Sequence, residues 1–239
     1  MTTNFYAPPS AFRGPRVVLP EREARHVQSV LRAERGDEII VVDGEGGWHR
    51  VQINHLGEQQ VVGTVQETRR DVGEPSVHVT VGMGILTKRS RFETFVEKAV
   101  ELGVRRIVPL RTRHSESDTV RIDRTRKVMI AALKQCRRSR LPDLGDPESL
   151  DALLDATEAD VRLVCHGGGE GVPLHQAIND IAARGSALVL VGPEGGFADA
   201  EVEAAVAAGC TPVSLGTRRL RAETAGIVAV NAATVLPDA

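Results

Sequence analysis

The glycine turn at residues 192–196 constrains the fold of this chain more than any other segment. It follows a run of apolar residues, 188–191, that is typical of a buried strand. Asp199 lies just beyond the turn and can cap a helix that would end near Gly209. A strand, a glycine turn and a helix in this order indicate an open α/β sheet, in which ligands bind beyond the carboxyl ends of the strands. We therefore expect residues 192–196 to form a ligand-binding loop.

The chain beyond residue 73 repeats this alternation of strand and helix. Apolar residues recur at helical spacing in segments 92–102 and 124–138, and the alanine-rich segment 222–236 predicts a last helix. Alternating strands and helices predict a mostly parallel sheet that helices cover on both faces. The predicted buried strands are residues 77–81, 106–110, 161–165, 187–191 and 213–215.

Residues 1–72 contain short β-branched runs in place of this regular alternation of strand and helix, and they predict a small β-rich domain. One helix is expected between Pro20 and about Arg32, and the glycine-rich residues 44–47 predict a hairpin turn. Residues 71–75 are polar, contain glycine and proline, and are typical of a linker to a second domain at 73–239. The predicted strands of the first domain are the β-branched runs at 16–19, 38–43, 48–53 and 60–66.

The charges are distributed unevenly along the chain, although the net charge is only −2. In residues 86–141 lysine and arginine outnumber aspartate and glutamate by ten, whereas residues 142–207 are strongly acidic. Such a basic segment favours a surface that faces a polyanion, and solvated helix faces are the alternative. The candidates for phosphate contact are Lys88, Arg89, Arg91, Arg111, Arg113, Arg137, Arg138 and Arg140.

Several classes of protein do not fit this sequence. No apolar run approaches the ~20 residues of a membrane span, and the first residues lack the pattern of a signal peptide, so a cytoplasmic location is expected. Cys136, Cys165 and Cys210 are far apart, which argues against disulfides and against a zinc site, and no metal is expected. The chain has neither a P-loop motif nor the dinucleotide fingerprint G-x-G-x-x-G after a strand.

Two motifs in the C-terminal part of the chain resemble motifs of a known enzyme family. Residues 192–197 (GPEGGF), followed by residues 215–225 (LGTRRLRAETA), resemble the SPOUT methyltransferases, and most closely the RsmE family of 16S ribosomal RNA uridine N3-methyltransferases. Weaker matches at His26, Asp43, Lys88 and residues 135–142 extend the resemblance over nearly the whole chain. The chain departs from the family pattern at Gly167, Arg219 and Ala222.

The resemblance implies a specific architecture and activity. It implies a SPOUT-type α/β domain with a C-terminal trefoil knot, preceded by a small β-rich PUA-like barrel domain that binds RNA. It also implies S-adenosylmethionine as the cofactor, 16S ribosomal RNA or the small ribosomal subunit as the partner, and a homodimer. Three alternatives remain open: methylation of another RNA atom such as a ribose 2′-oxygen, a non-catalytic RNA-binding assembly factor, and a small-molecule enzyme with an adenosine cofactor.

The same resemblance suggests which residues form the site. Uridine N3 carries a proton that must leave, which calls for a general base or for stabilisation of the resulting anion. Arg221 and Glu223 are the catalytic candidates, and an ion pair between them that caps the last helix is the alternative. The expected cofactor contacts, largely through the main chain, are Cys165, His166, Gly192, Pro193, Glu194, Gly195, Gly196, Leu215, Gly216, Leu220 and Thr224.

Overall fold

The structure, a computed structural model, describes residues 4–57, 60–166, 171–178 and 185–234. The chain divides into two compact units. The first unit comprises residues 1–74 together with Ile130–Leu141, and the second comprises Pro75–Met129 together with residues 142–239. In the described part of the chain, no helix is long and apolar enough to cross a membrane.

A six-stranded sheet forms the first unit, with strand order β1-β4-β5-β6-β3-β2. Strand β1 pairs in parallel with β4, and the other neighbouring strands are antiparallel. Side chains that alternate along the strands, such as Ile39, Val41, Val51 and Ile53, form its core. The strands are β1 (Asn4–Tyr6), β2 (Phe12–Arg13), β3 (Arg16–Val18), β4 (Glu38–Val42), β5 (Gly47–Gly57) and β6 (Gln60–Arg70).

The elements of the first unit differ from their predicted bounds in two ways. Strands β5 and β6 run beyond the predicted segments 48–53 and 60–66, because antiparallel pairing continues through polar residues that apolar periodicity does not detect. The predicted helix at 20–32 is regular only as α1 (Glu21–His26). A π-helical turn, Val27–Leu31, follows it and ends where Arg32 takes the left-handed conformation, with a φ of 52°.

The predicted linker at residues 71–75 is held in place within the first unit. Glu74 accepts hydrogen bonds from the main-chain N–H groups of Ser139 and Arg140 at 3.0 and 2.9 Å, and the Arg138 guanidinium donates to its other carboxylate oxygen. Asp71 accepts a hydrogen bond from the Arg140 side chain. Charged side chains far along the chain therefore fix a segment that its composition alone marks as a loop.

The second unit is built on an eight-stranded sheet, in which every neighbouring pair is parallel. The strand order is β10-β8-β7-β13-β11-β14-β12, and β9 also pairs with β8. This confirms the predicted parallel α/β sheet. The strands are β7 (His78–Gly84), β8 (Arg106–Arg111), β9 (Asp143–Leu144), β10 (Glu148–Ser149), β11 (Val161–Cys165), β12 (Val172–Pro173), β13 (Ser186–Val191) and β14 (Thr211–Ser214).

Helices lie on both faces of this sheet. On one face α7 packs against β7, β13 and α2, and the Phe95 ring lies so close to Gly226 that a Cβ there would be 2.6 Å from it. On the other face α4 and α6 enclose an apolar cluster that includes Leu153, Leu190 and Ala205. The helices of the chain beyond residue 75 are α2 (Arg89–Glu101), α3 (Ile122–Cys136), α4 (Leu150–Ala156), α5 (Leu174–Ala177), α6 (Asp199–Ala207) and α7 (Ala222–Thr234), and the part of α3 from Ile130 onward belongs to the first unit. The predicted last helix, 222–236, extends beyond the described residues.

Parallel pairing places five strand ends at one edge of the sheet. Strands β8, β7, β13, β11 and β14 are consecutive neighbours, and all point in the same direction. Their ends lie within one residue of each other, since Val191 pairs with Cys165 and with Met83, Cys165 pairs with Val213, and Gly84 pairs with Leu110. The loops that leave these strands therefore meet at a single edge, where open α/β sheets bind their ligands.

Candidate functional site

The glycine loop, residues 192–196, leaves β13 and closes at once into a tight turn. The Gly196 N–H donates to the Pro193 carbonyl oxygen at 2.9 Å, and Gly196 has a φ of +75°, which favours glycine. A Cβ on Gly192 would lie 2.8 Å from both the carbonyl carbon of Gly196 and the N atom of Phe197. The turn thus needs glycine at both of its ends.

Neighbouring strand ends hold the glycine loop by close main-chain approach. A Cβ on Gly84, the last residue of β7, would lie 2.4 Å from the Pro193 N atom. After β8, His114 reaches the loop, with its Nδ1 atom 3.2 Å from the carbonyl oxygen of Gly196. A Cβ on Gly195 would lie 2.9 Å from the His114 Cβ atom. Residues after β7 and β8 therefore pack directly against the glycine loop and set its position at the sheet edge.

The residues that directly follow β11 and β14 lie at the same edge of the sheet as the glycine loop. Strand β11 ends at Cys165, and the next N–H group, that of His166, donates to the Val213 carbonyl oxygen of β14 at 3.2 Å. Burial raises the pKa of the Cys165 thiol to about 12, so the thiol stays neutral and is a poor nucleophile. Strand β14 is followed by Leu215, which is partly exposed, and by the exposed Gly216. Since β13, β11 and β14 are neighbours, the structure brings these predicted cofactor contacts to one place.

Open space lies next to main-chain atoms at this edge of the sheet, where a ligand could contact them. A Cβ on Gly196 or on Gly216 would meet no atom within 4 Å, so both glycines border open space. Their φ angles of +75° and +107° favour glycine, so both positions stay free of a side chain. Open space bordered by glycines at the ends of the strands fits a small cofactor that is bound mainly by main-chain groups. No group of three or more His, Cys, Asp and Glu side chains suited to a metal ion occurs in the described ranges.

An arginine and two glutamates form a cluster next to the glycine loop. Arg91 of α2 has its Nε atom 3.5 Å from Glu223 Oε1 and its Nη1 atom 3.7 Å from Glu194 Oε1. The Thr87 N–H, after β7, donates to Glu194 Oε2 at 3.3 Å. One oxygen of each carboxylate, Glu194 Oε1 and Glu223 Oε2, is buried without a hydrogen-bond partner among the described residues. The structure therefore joins two predicted site residues to an arginine that sequence reasoning assigned to phosphate contact.

The start of α7 carries the other predicted catalytic residue. Arg221 is exposed, and its carbonyl oxygen accepts the Ala225 N–H at 2.8 Å in the first turn of the helix. Within the described residues, Glu223 forms its ion pair with Arg91, so the alternative of a capping pair between Arg221 and Glu223 is wrong. Thr224 is exposed, and Leu220 is partly exposed.

The predicted phosphate contacts fall into two groups: arginines that pair with carboxylates, and residues that are exposed. Arg138 is 2% exposed and its guanidinium pairs with Glu74, so a phosphate cannot reach it and the prediction for Arg138 is wrong. Arg140 is partly exposed and pairs with Asp71, a hydrogen bond that raises the pKa of the Arg140 guanidinium. Arg91 faces the two glutamates. The candidates that remain exposed are Lys88, Arg89, Arg111, Arg113 and Arg137.

Glu201 is a residue of the site region that sequence reasoning did not identify. Its Oε2 atom accepts the Ala198 N–H at 2.8 Å and its Oε1 atom accepts the Arg113 N–H at 2.9 Å. Glu201 thereby caps α6, whereas Asp199, the predicted cap, is the first residue inside the helix. A glutamate near a helix start is the available signal, but nothing in the sequence indicates its second contact with the loop after β8.

Comparison with known proteins identifies the family. A model of the RNA methyltransferase domain matches residues 73–234, and a model of the RNA methyltransferase PUA domain matches residues 19–66. The ribosomal RNA small subunit methyltransferase E of Synechocystis is 32% identical over 220 residues, which are 90% of this chain and 71% of the relative. The protein of the same name from Mycobacterium bovis is 31% identical over 244 residues, which are 97% of this chain and 91% of the relative.

Solved structures agree with the sequence relatives. The ribosomal RNA small subunit methyltransferase E of Neisseria gonorrhoeae, bound to S-adenosylmethionine, superposes with a TM-score of 0.87 at 27% identity and covers 97% of this chain and 96% of its own. A probable rRNA methyltransferase from Porphyromonas gingivalis gives a TM-score of 0.86 at 31% identity, with 95% of each chain covered. The resemblance found in residues 192–197 and 215–225 is thus confirmed, and the chain belongs to the ribosomal RNA small subunit methyltransferase E (RsmE) family.

Proposed function

We propose that this chain methylates N3 of a uridine in 16S ribosomal RNA, with S-adenosylmethionine as the methyl donor. The observation that carries the proposal is the meeting, at one sheet edge, of the glycine loop, the residues that directly follow β11 and β14, and the half-buried cluster of Arg91, Glu194 and Glu223. The names of the family relatives, and the S-adenosylmethionine bound to the Neisseria gonorrhoeae protein, support the same assignment.

The residues at the sheet edge fit the cofactor. The open space beside Gly196 and Gly216 gives a ligand access to the main chain. Glu194 Oε1 has no hydrogen-bond donor among the described residues, so it can accept a hydrogen bond from the ligand. When bound, S-adenosylmethionine supplies a methyl group that its sulfonium makes electrophilic. The residues that we assign to its binding are Cys165, His166, Gly192, Pro193, Glu194, Gly195, Gly196, Leu215, Gly216, Leu220 and Thr224.

The target base needs a proton acceptor and an anion-stabilising group. N3 lies on the Watson–Crick edge of uracil, so the nucleotide must be unpaired or turned out of its helix before the enzyme can reach it. Glu223 is suited to accept the N3 proton, because its Oε2 atom is buried and has no partner in the described part of the chain. Arg221 is exposed at the start of the same helix and can stabilise negative charge on the uracil oxygens.

The remainder of the chain is assigned to RNA binding and assembly. We assign phosphate contacts to Lys88, Arg89, Arg111, Arg113 and Arg137, which are exposed. Residues 1–72 are proposed to form a PUA-like barrel that binds RNA, and residues 73–239 a methyltransferase domain whose C-terminal part is a trefoil knot. We further propose that two copies form a homodimer, as the family resemblance implies.

The experiment that tests the function is nucleoside mass spectrometry of 16S ribosomal RNA. Transcripts and small subunits are incubated with the protein and S-adenosylmethionine, digested and analysed for methylated nucleosides. We expect N3-methyluridine with wild-type protein, and a large loss of product with Glu223→Gln, which retains the size of the side chain. A ribose-methylated nucleoside would assign the chain to another methyltransferase reaction. RNA binding with no methylated product would favour the assembly-factor alternative.

A further inference from the structure

Arg91 lies between two carboxylates and is the one cation that pairs with either of them among the described residues. Glu194 comes from the glycine loop after β13, and Glu223 comes from the first turn of α7. The Arg91 and Glu194 side chains retain about a quarter to a third of their exposure, and Glu223 is buried, at 8% for the whole residue. One guanidinium thus links three elements of the site region, namely α2, the glycine loop and α7.

Each carboxylate has one buried oxygen that lacks a hydrogen-bond donor among the described residues. The Thr87 N–H donates to Glu194 Oε2, whereas Arg91 forms ion pairs with Glu194 Oε1 at 3.7 Å and with Glu223 Oε1 at 3.5 Å, which are longer than hydrogen bonds. Glu223 Oε2 and Glu194 Oε1 remain buried without a hydrogen-bond donor in the described residues. A buried acceptor without a donor costs about 1–3 kcal/mol, and more when it is charged. Such an arrangement is expected where a bound ligand supplies the missing donors.

We propose that Arg91 is a positioning residue for methyl transfer, which rests on the function proposed above. Its guanidinium fixes Glu223 so that Oε2 faces the N3–H group of the target uracil. Glu194 Oε1, which Arg91 approaches only to 3.7 Å, can still accept a hydrogen bond from a donor of the cofactor. The N3 proton passes to Glu223 Oε2, and the electron pair that it leaves on N3 forms the bond to the methyl carbon. The bond between that carbon and the sulfonium sulfur breaks at the same time, and its electron pair stays on the sulfur, which leaves as a neutral thioether. Arg91 also offsets one of the two negative charges of the carboxylates and thereby keeps both side chains at the site.

This role differs from phosphate contact in what it predicts for RNA binding. An arginine on phosphate contributes to affinity, and its removal lowers the slope of log K against log salt by about 0.7–0.9. An arginine that orients a proton acceptor leaves RNA affinity unchanged and acts on the chemical step, where a misplacement of ~1 Å costs about 100-fold. The two roles can therefore be separated by measuring turnover and RNA affinity on the same variants.

The test compares Arg91→Met, Arg91→Lys and, as a control, Arg126→Met, which removes an exposed arginine of α3. We expect Arg91→Met to lower kcat about 100-fold, with the RNA dissociation constant and its salt slope unchanged. Arg91→Lys retains the charge and should recover most of the rate. Arg126→Met should match wild type. In the double variant with Glu223→Gln, the loss should be smaller than the two single losses combined, because both changes disable one acceptor.

Two outcomes would overturn the proposal. One is a weaker, less salt-dependent RNA complex with kcat unchanged, which would return Arg91 to the phosphate-contacting surface. The other is a crystal structure of Arg91→Met in which the Glu194 and Glu223 carboxylates lie where they lie in wild type. This crystal structure can be determined whether or not the protein is active. It therefore tests the role of Arg91 even if the wild-type protein transfers no methyl group. Absence of methyl transfer by the wild-type protein would count against the proposed function and not against the positioning role of Arg91.

Discussion

The Arg138 guanidinium donates to Glu74 across 2.7 Å, and the two side chains are only 3% and 9% exposed. Removing one partner of a buried ion pair leaves an uncompensated charge and costs about 3–5 kcal/mol. We expect Glu74→Ala to lower the free energy of unfolding of the first unit by this amount. Urea titration followed by fluorescence of Trp48, the only tryptophan of the chain, measures it. Glu34→Ala, at an exposed position, is the control, and equal midpoints for both variants would contradict the prediction.

Gly226 should not tolerate a side chain while Phe95 faces it. A Cβ there would lie 2.6 Å from the Phe95 ring, and overpacking of this kind costs about 1–3 kcal/mol. Alanine favours a helix over glycine by about 1 kcal/mol, which offsets part of the loss. We expect Gly226→Ala to lower the thermal stability of the second unit, and Phe95→Leu in the same chain to restore part of it. Additive losses in the double variant would show that the ring is not the cause.

Gly192→Ala should weaken cofactor binding without unfolding the protein. The added Cβ would meet main-chain atoms of Gly196 and Phe197 at 2.8 Å, so the loop must open to admit it. We expect an affinity for S-adenosylmethionine lower by at least about tenfold, or 1.4 kcal/mol, in calorimetric titration. Gly145→Ala is the matched control, because its Cβ would make ordinary contacts from 3.4 Å outward. Unchanged affinity in a folded Gly192→Ala variant would contradict the assignment of the glycine loop.

RNA binding should depend on salt through the exposed basic residues. Each substitution of one of these residues by alanine is expected to reduce the slope of log K against log salt by about 0.7–0.9 for each phosphate that the variant no longer neutralises. The variants are Lys88→Ala, Arg89→Ala, Arg111→Ala, Arg113→Ala and Arg137→Ala. Fluorescence anisotropy with a labelled fragment of 16S ribosomal RNA, over a range of salt concentrations, gives the slopes. Arg126→Ala serves as the reference. Slopes identical to wild type for all five variants would place the RNA on a different surface.

The first unit should lose stability in acid through Asp43. Burial acts to raise the pKa of Asp43, but hydrogen bonds from His49 and from the N–H groups of Glu45 and Gly47 outweigh it and lower the pKa below 3.8. A lowered folded-state pKa stabilises the fold above the ordinary pKa, and this contribution disappears as the pH falls through the folded value. Trp48 fluorescence during urea unfolding, at pH values from about 6 down to about 3, measures the loss.

Asp43→Asn removes the titrating group and should flatten this acid dependence. Asp118→Asn, at an exposed carboxylate, should retain the dependence of wild type. The prediction would fail if Asp43→Asn and wild type lost the same free energy of unfolding over this pH range.

Much of the second unit could be predicted from sequence, because its central strands are buried on both faces and appear as continuous apolar runs. The predicted strand 161–165 has the observed bounds, and 106–110 and 187–191 differ from theirs by one residue. The two-residue strands β9, β10 and β12 are too short to give a periodic signal. Their pairing depends on the neighbouring strand and not on their own residues.

The candidate site was predictable where a local motif marks it, as in the glycine loop and at Glu223. The positions of Arg91 and Arg138 were not, because both belong to a basic segment in which every arginine has the same local pattern. Their acidic partners lie far away in sequence: Glu194 and Glu223 for Arg91, and Glu74 for Arg138. Which arginine is exposed and which is paired depends on tertiary contacts, which charge counting along the chain cannot detect.

The discontinuous first unit affects the order in which the protein is completed on the ribosome. Glu74 is synthesised 64 residues before Arg138, and its carboxylate has to remain hydrated until that partner emerges. Domains generally fold in the order of their synthesis. Here the amino-terminal unit can reach its final state only after strands β7 and β8 have also left the ribosome. Nascent chains that stall between residues 75 and 129 should therefore carry an incomplete amino-terminal unit, which chaperones and proteases can recognise.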